Sequence, residues 1–273
     1  MNKEKNNIVI FCASFHRDIE RVKVLAESVF KFNRDNIPFY ISVPEEDTKL
    51  FKNKLGTVGY NLINDEDILK EKLVQSWVTQ QIIKLNFWKL DVCHNYTSID
   101  SDGYFIRPFY IKDFIADLNT NTPYTVMHEQ KDLFSWTAAK THVLGFDPQI
   151  AFAEHINAVN EILCNPINRL YDFGPLPIYS SKVWKALEDN YLNPNNLTIK
   201  DALTTIQNEF SWYGGALLAF KPIDLYAIEP IFKMFHYVPQ YQDYKNLGYT
   251  EEHWAKNYLG IVMQSNCNLP LKY

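Results

Sequence analysis

The chain alternates between short apolar runs and amphipathic stretches, in an order that reads as strand, helix, strand, helix. IVIFCASF (Ile8–Phe15) is apolar until it ends in small and polar residues, as a buried strand does where it emerges into a loop. Asp18–Phe32 then places Ile19, Val22, Leu25, Ala26 and Val29 at helical spacing. PFYISV (Pro38–Val43) predicts a second strand and Glu45–Lys54 a charged helix. This alternation points to an α/β fold, a mostly parallel sheet with crossover helices, whose ligands bind beyond the carboxyl ends of the strands. Ala13–Asp18 therefore falls at the expected mouth of a site.

Further along, Lys70–Asp91 reads as one long helix, with Trp77, Ile82, Leu85, Phe87, Trp88 and Leu90 on its apolar faces. Thr97–Ile99 is a short strand that delivers Asp100 and Asp102, and Tyr124–His128 is another strand. Helices are expected over Gln149–Cys164, Ser180–Asn190 and Ile199–Phe210, and a strand-like segment over Ala216–Ile228. Glu251–Met263 reads as a terminal amphipathic helix whose Trp254, Tyr258 and Ile261 suit core packing. No internal repeat, low-complexity segment or Pro/Gly/Ser linker interrupts the chain, so one domain over residues 1–273 is the simplest organisation.

Composition narrows the function classes. The 273 residues are enough to bury a sizeable core. Hydrophobic residues make up 47 % and charged residues 22 %, which fits a folded globular protein. Aromatic residues reach 15 %, and such rings fill cores and also stack on sugars and bases. A net charge of −5 gives no basic footprint for nucleic acid. Gly is scarce, and neither the dinucleotide-binding fingerprint nor the P-loop pattern occurs. Cys12, Cys93, Cys164 and Cys267 are scattered without metal-ligand spacing and read as small apolar residues in a reducing compartment. MNKEKNN is not followed by a leader-like segment, and no stretch of about 18 apolar residues occurs. These features predict a cytoplasmic protein with at most peripheral membrane contact.

The chemistry concentrates in TSIDSDGYFIRP (Thr97–Pro108). Asp100 and Asp102 stand two residues apart, so on a strand both point to one face and converge on one hard cation. Mg²⁺ or Mn²⁺ suits such a pair, because these ions take oxygen ligands and keep positions open for substrate phosphates. The alternative is an Asx-turn closed by Gly103. Lys84 stands on the helix that precedes the pair.

Five segments in order, ASFHRD (Ala13–Asp18), WVTQQIIKL (Trp77–Leu85), IDSDGYFIRPF (Ile99–Phe109), FGPLP (Phe173–Pro177) and EFSWYGG (Glu209–Gly215), resemble bacterial GT-A glycosyltransferases. Within that group the chain looks most like an uncharacterised family, a domain of unknown function linked to surface polysaccharide synthesis. The resemblance spans most of the chain. It implies a GT-A-like, Rossmann-type mixed sheet flanked by helices, with residues 1–110 binding a nucleotide-sugar donor and residues 111–273 binding a glycan or lipid-linked glycan acceptor. It also implies that Asp100 and Asp102 hold Mn²⁺ or Mg²⁺ against the donor diphosphate, with His236 as a third ligand. Ser14, His16 and Asp18 would line base and ribose, and Lys84 would approach the diphosphate as a point charge. Ser101, the middle residue of the acidic motif, would contact metal or ribose. Glu209 would be the general base that draws a proton from the acceptor hydroxyl, and Asp172 is a second candidate for that role. Trp212 and Tyr213 would stack on a sugar ring, and Gly214 and Gly215 would let backbone approach it.

Two other readings share some of these residues. DSDG also resembles the start of haloacid-dehalogenase phosphohydrolases, but Tyr104 stands where that family has Thr, and no Gly-Asp pair follows. A catalytically inactive GT-A-like carbohydrate-binding protein would suit the aromatic content. His128, Glu129 and Asp132 form a further polar cluster that reads as a solvated loop.

Overall fold

The computed structural model describes residues 5–56, 59–129, 145, 148–165 and 170–273. Its centre is a five-stranded sheet of order β11-β4-β1-β2-β3. These strands are β1 (Asn6–Ala13), β2 (Phe39–Val43), β3 (Asn61–Asn64), β4 (Cys93–Ser98) and β11 (Ile178–Ser180). β1, β2, β3 and β4 run parallel, and β11 pairs antiparallel with β4. The mixed, mostly parallel sheet with helices on both faces is the architecture that the apolar patterning predicts.

Both faces of β1 are covered, which is why its sequence is a continuous apolar run rather than an alternating one. Val9, Phe11 and Ala13 pack into one core with residues of α4 (Trp77–Asn86), α6 (Ser181–Leu187) and α8 (Glu209–Phe220). Ile8, Ile10 and Cys12 point the other way, into a second core with α1 (Ile19–Phe32) and α2 (Thr48–Leu55). The strand period of two thus divides one sequence run between two cores.

A second sheet of order β13-β14-β5 joins β13 (Phe232–Phe235), β14 (Gly260–Met263) and β5 (Gly103–Phe105). Smaller ladders pair β6 (Ile115–Asp117) with β7 (Thr122–Pro123), β8 (Thr125–Val126) with β12 (Ala227–Ile228), and β9 (His128–Glu129) with β10 (Tyr171–Asp172). The remaining helices are α3 (Asp65–Leu69), α5 (Pro148–Ile162), α7 (Ile199–Thr205), α9 (Val238–Asn246) and α10 (Glu251–Trp254). Among the described residues no helix is long and apolar enough to cross a membrane.

Several elements differ from their expected extents. The long helix Lys70–Asp91 is α4 alone, followed by a tighter turn over Phe87–Leu90. Lys70 adopts a left-handed conformation that ends α3. Ser76 then caps α4 by accepting the Thr79 N–H, so the helix restarts at Trp77. The expected helix Ile199–Phe210 stops at Thr205, because Asn208 is extended and caps a new helix at Glu209. Ala216–Phe220, expected as strand, belongs to that helix, and only Ala227–Ile228 is extended. The expected terminal helix is limited to α10, and Gly260–Met263 is instead the central strand of the second sheet. Tyr124–His128 is broken into two-residue strands, β3 joins the main sheet unannounced by the patterning, and Asp132 lies outside the described residues.

Candidate active site

The acidic motif lies in the turn between β4 and β5, rather than on a strand. Ile99 N–H donates to the Phe11 carbonyl at 2.8 Å, which carries the β1–β4 pairing just past the strand end. Gly103 N–H then donates to the Asp100 carbonyl at 2.9 Å and closes the turn. A Cβ on Gly103 would lie 2.9 Å from Ile99 Cγ2, so only glycine closes it without displacing that buried side chain. The turn, not strand alternation, sets the directions of the two aspartates.

Asp100 faces a cavity of about 320 Å³. The side chain is half exposed, and its Oδ1 lies 2.7 Å from Lys84 Nζ. Lys84 itself is buried and also reaches Glu209 Oε1 at 3.1 Å. A buried ammonium is therefore held between a carboxylate from the motif and one from the first turn of α8. Burial acts most strongly on Lys84 and lowers its pKa, but Asp100 and Glu209 together keep it above the ordinary lysine value. Burial pushes Glu209 up against the opposing charge of Lys84. Its Oε2 is buried and has no hydrogen-bond partner among the described residues.

Asp102 is 6 % exposed and does not line the cavity. Its Oδ2 accepts the Ser265 N–H at 2.8 Å, while Oδ1 is buried without a partner among the described residues. Burial first and the Asp100 charge second raise Asp102 to about 6. An orphaned carboxylate oxygen beside a second, repelling carboxylate is a donor set suited to a hard divalent cation. The fit extends to two protein ligands. Among the described residues no three His, Cys, Asp or Glu side chains form a ready metal cluster. His236, the expected third ligand, lines the same cavity. Burial and then Lys233 lower it to about 4, so it is neutral at physiological pH.

The other expected site residues divide into two groups. Ser14, His16 and Asp18 stand at the carboxyl end of β1, as the patterning requires, but they do not line the cavity. His16 donates its backbone N–H to Asp47 Oδ2 at 2.7 Å, and its ring Nδ1 lies 3.2 Å from the same atom. Burial raises the Asp18 carboxyl, and Arg21 and then the nearby Ser101 hydroxyl act against it, which sets the β1 end beside the acidic turn. Ser14 is buried with an unpartnered Oγ.

Trp212, Tyr213, Gly214 and Gly215 are corrections. Trp212 and Tyr213 are each 1 % exposed, so no sugar reaches either ring. Trp212 Nε1 donates to the Ile206 carbonyl, and Tyr213 OH accepts the Ser180 N–H. The glycines serve helix packing: a Cβ on Gly214 would lie 2.0 Å from Phe173, and one on Gly215 would lie 2.7 Å from Val159 Cγ1. The helix that carries Glu209 into the site turns these four residues into the core.

Residues that sequence reasoning missed occupy the cavity wall instead. Trp77, 61 % exposed, stands at its rim, with Gln81 and Phe210 also lining it. Asp172, the second base candidate, lines it too, with Oδ1 accepting the Gly174 N–H at 2.7 Å. The available signal was spacing: Trp77, Gln81 and Lys84 fall at i, i+4 and i+7, one stripe of α4.

No curated protein matches the chain in sequence. In structure the chain is similar to the galactosyltransferase LgtC, solved in complex with donor and acceptor sugar analogues, with a TM-score of 0.51. That match covers 95 % of this chain and 91 % of the other at 11 % identity, which makes it a likeness of fold. A family model described only as a family of unknown function, DUF6492, matches residues 8–165, and the chain belongs to that family.

Proposed function

We propose that the protein is a metal-dependent glycosyltransferase that moves a sugar from a nucleotide-sugar to an acceptor hydroxyl. The observation that carries this reading is the Lys84 ammonium, buried between Asp100 and Glu209 in a cavity wall, with a buried Asp102 carboxylate in the same turn as Asp100. A buried cation next to a cation-binding carboxylate pair suits a diphosphate. The likeness of fold to a galactosyltransferase supports the same reading.

Asp100 and Asp102 would hold Mn²⁺ or Mg²⁺, and His236, on the wall of the same cavity, is proposed as a third, imidazole ligand. The cation would neutralise charge on the leaving diphosphate. Lys84 adds a fixed positive charge whose position is set by its two carboxylate partners. Glu209 is the proposed base: Lys84 holds Oε1, and the unpartnered Oε2 takes the proton of the acceptor hydroxyl. The acceptor oxygen, freed of its proton, forms the new bond to the anomeric carbon, and the bond to the diphosphate breaks with its electron pair leaving on the nucleotide. Ser14, His16, Asp18 and Ser101 are proposed for the nucleoside side. The acceptor would enter over Trp77 and Phe210, in place of the buried Trp212–Gly215. A bacterial surface glycan or its lipid-linked precursor as acceptor rests on the sequence resemblance.

The test is a thermal-shift screen of nucleotide-sugars with and without Mn²⁺, because a ligand that binds only the folded state raises the melting temperature. One donor should stabilise the protein in a metal-dependent way. A flat response across donors of every common base, with metal present, would refute the reading.

A further inference from the structure

Trp77, Gln81 and Lys84 share one stripe of α4, and all three line the cavity. Lys84 is matched by two carboxylates. Among the described residues Gln81 is matched by nothing. It is 2 % exposed, and among the described residues neither Nε2 nor Oε1 has a hydrogen-bond partner. A primary amide offers two N–H donors and an acceptor oxygen, and burying them unsatisfied costs free energy that a native structure rarely accepts without a reason. Ser98 Oγ and Glu209 Oε2, of residues that line the same cavity, are also buried without partners among the described residues. Unpaired groups gathered around one cavity mark where a polar ligand completes the hydrogen bonding.

We propose that Gln81 is a specificity-determining residue that binds hydroxyls of the transferred sugar. This inference rests on the glycosyltransferase reading above. Gln81 lies three residues from Lys84, a rise of about 4.5 Å along the helix, so a group held there sits beside the diphosphate rather than on it. Two neighbouring sugar hydroxyls match the amide: one donates to Oε1 while the other accepts from Nε2–H. In the complex the sugar would complete the hydrogen bonding of the amide.

The experiment is calorimetric titration of the wild type and of Gln81→Met, in MnCl₂. The ligands are UDP and GDP, and UDP-glucose, UDP-galactose, UDP-N-acetylglucosamine and GDP-mannose. One conjugate should bind the wild type about tenfold or more tightly than its own nucleoside diphosphate. Gln81→Met should keep the nucleoside diphosphate affinity and lose that tenfold. Its melting temperature should hold or rise, because an unpaired amide is replaced by an apolar chain of the same length. Should the methionine variant melt lower, Gln81→Leu repeats the measurement. A preference for the conjugate that survives in the folded variant overturns the proposal. So does a wild type that binds no conjugate better than its nucleoside diphosphate, or a folded variant that loses the nucleoside diphosphate as well. A wild type that binds none of these ligands, nor a nucleoside diphosphate and sugar conjugate of any other common base titrated in the same way, overturns the glycosyltransferase reading and this inference with it.

Discussion

Lys84→Met is the most informative perturbation of the site. The substitution keeps the length of the side chain and removes the charge that Asp100 and Glu209 share. Asp100 is half exposed, so water screens much of its loss. Glu209 is 5 % exposed and has no other partner at Oε1, and its Oε2 has none either. Removing one partner of a buried ion pair leaves an uncompensated charge and costs about 3–5 kcal/mol. The cost depends on pH, because the stranded carboxylate can take a proton. Without Lys84, burial first and the Asp100 charge second act on Glu209 and hold its folded pKa above the unfolded value, near 4.5. A carboxylate raised in this way carries no penalty below the unfolded pKa, and the penalty grows as pH rises toward the folded one. Urea unfolding should therefore show a large loss of stability at pH 8 that shrinks toward pH 4.5. Lys84→Met with Glu209→Gln should recover much of the loss at pH 8 and flatten the pH dependence, a coupling that a double-mutant cycle measures. Equal losses in the single and double variants, or a loss that ignores pH, would refute the buried pairing.

Three further outcomes follow from the geometry. Asp102→Asn keeps an acceptor for the Ser265 N–H and removes one charge of the pair, so metal-dependent stabilisation by a nucleotide-sugar should vanish while the metal-free melting temperature holds or rises; a metal response equal to wild type would contradict the ligand role. Burial raises Asp65 from 3.8 to about 7, which at about 1.4 kcal/mol per pH unit is an ionisation cost of roughly 4 kcal/mol; this cost appears as pH rises from 4 to 7, so Asp65→Asn should stabilise the protein at pH 8 and leave it little changed at pH 4, and no pH slope in the difference would count against it. Gly214→Ala would place its Cβ 2.0 Å from Phe173 and should lower stability by about 1–3 kcal/mol, partly recovered by Phe173→Leu; an unchanged urea midpoint would show that the close approach is not a constraint.

Much of the architecture was written into the chain. Ile8–Ala13 is apolar at every position because β1 is covered on both faces, and a run of that kind between helical periods specifies a central parallel strand. Asp100 and Asp102 were visible as a motif, and Lys84 as a charge on the preceding helix. Local pattern also misled where a chain break was carried by capping: Ser76 and Asn208 each restart a helix that apolar spacing alone would run together.

The sequence by itself determined the layered α/β plan and the kinds of chemistry available, because hydrophobic periodicity reports which faces must leave water. Only the tertiary structure decided which polar and aromatic groups meet. Lys84 and Glu209 pair across 125 residues, Trp212 and Tyr213 face the core, and Trp77 and Gln81 face the cavity. A helical period shows that a face is distinctive, but it does not distinguish a face turned toward the protein interior from one turned toward a ligand. The packing of α4 and α8 against the main sheet makes that choice.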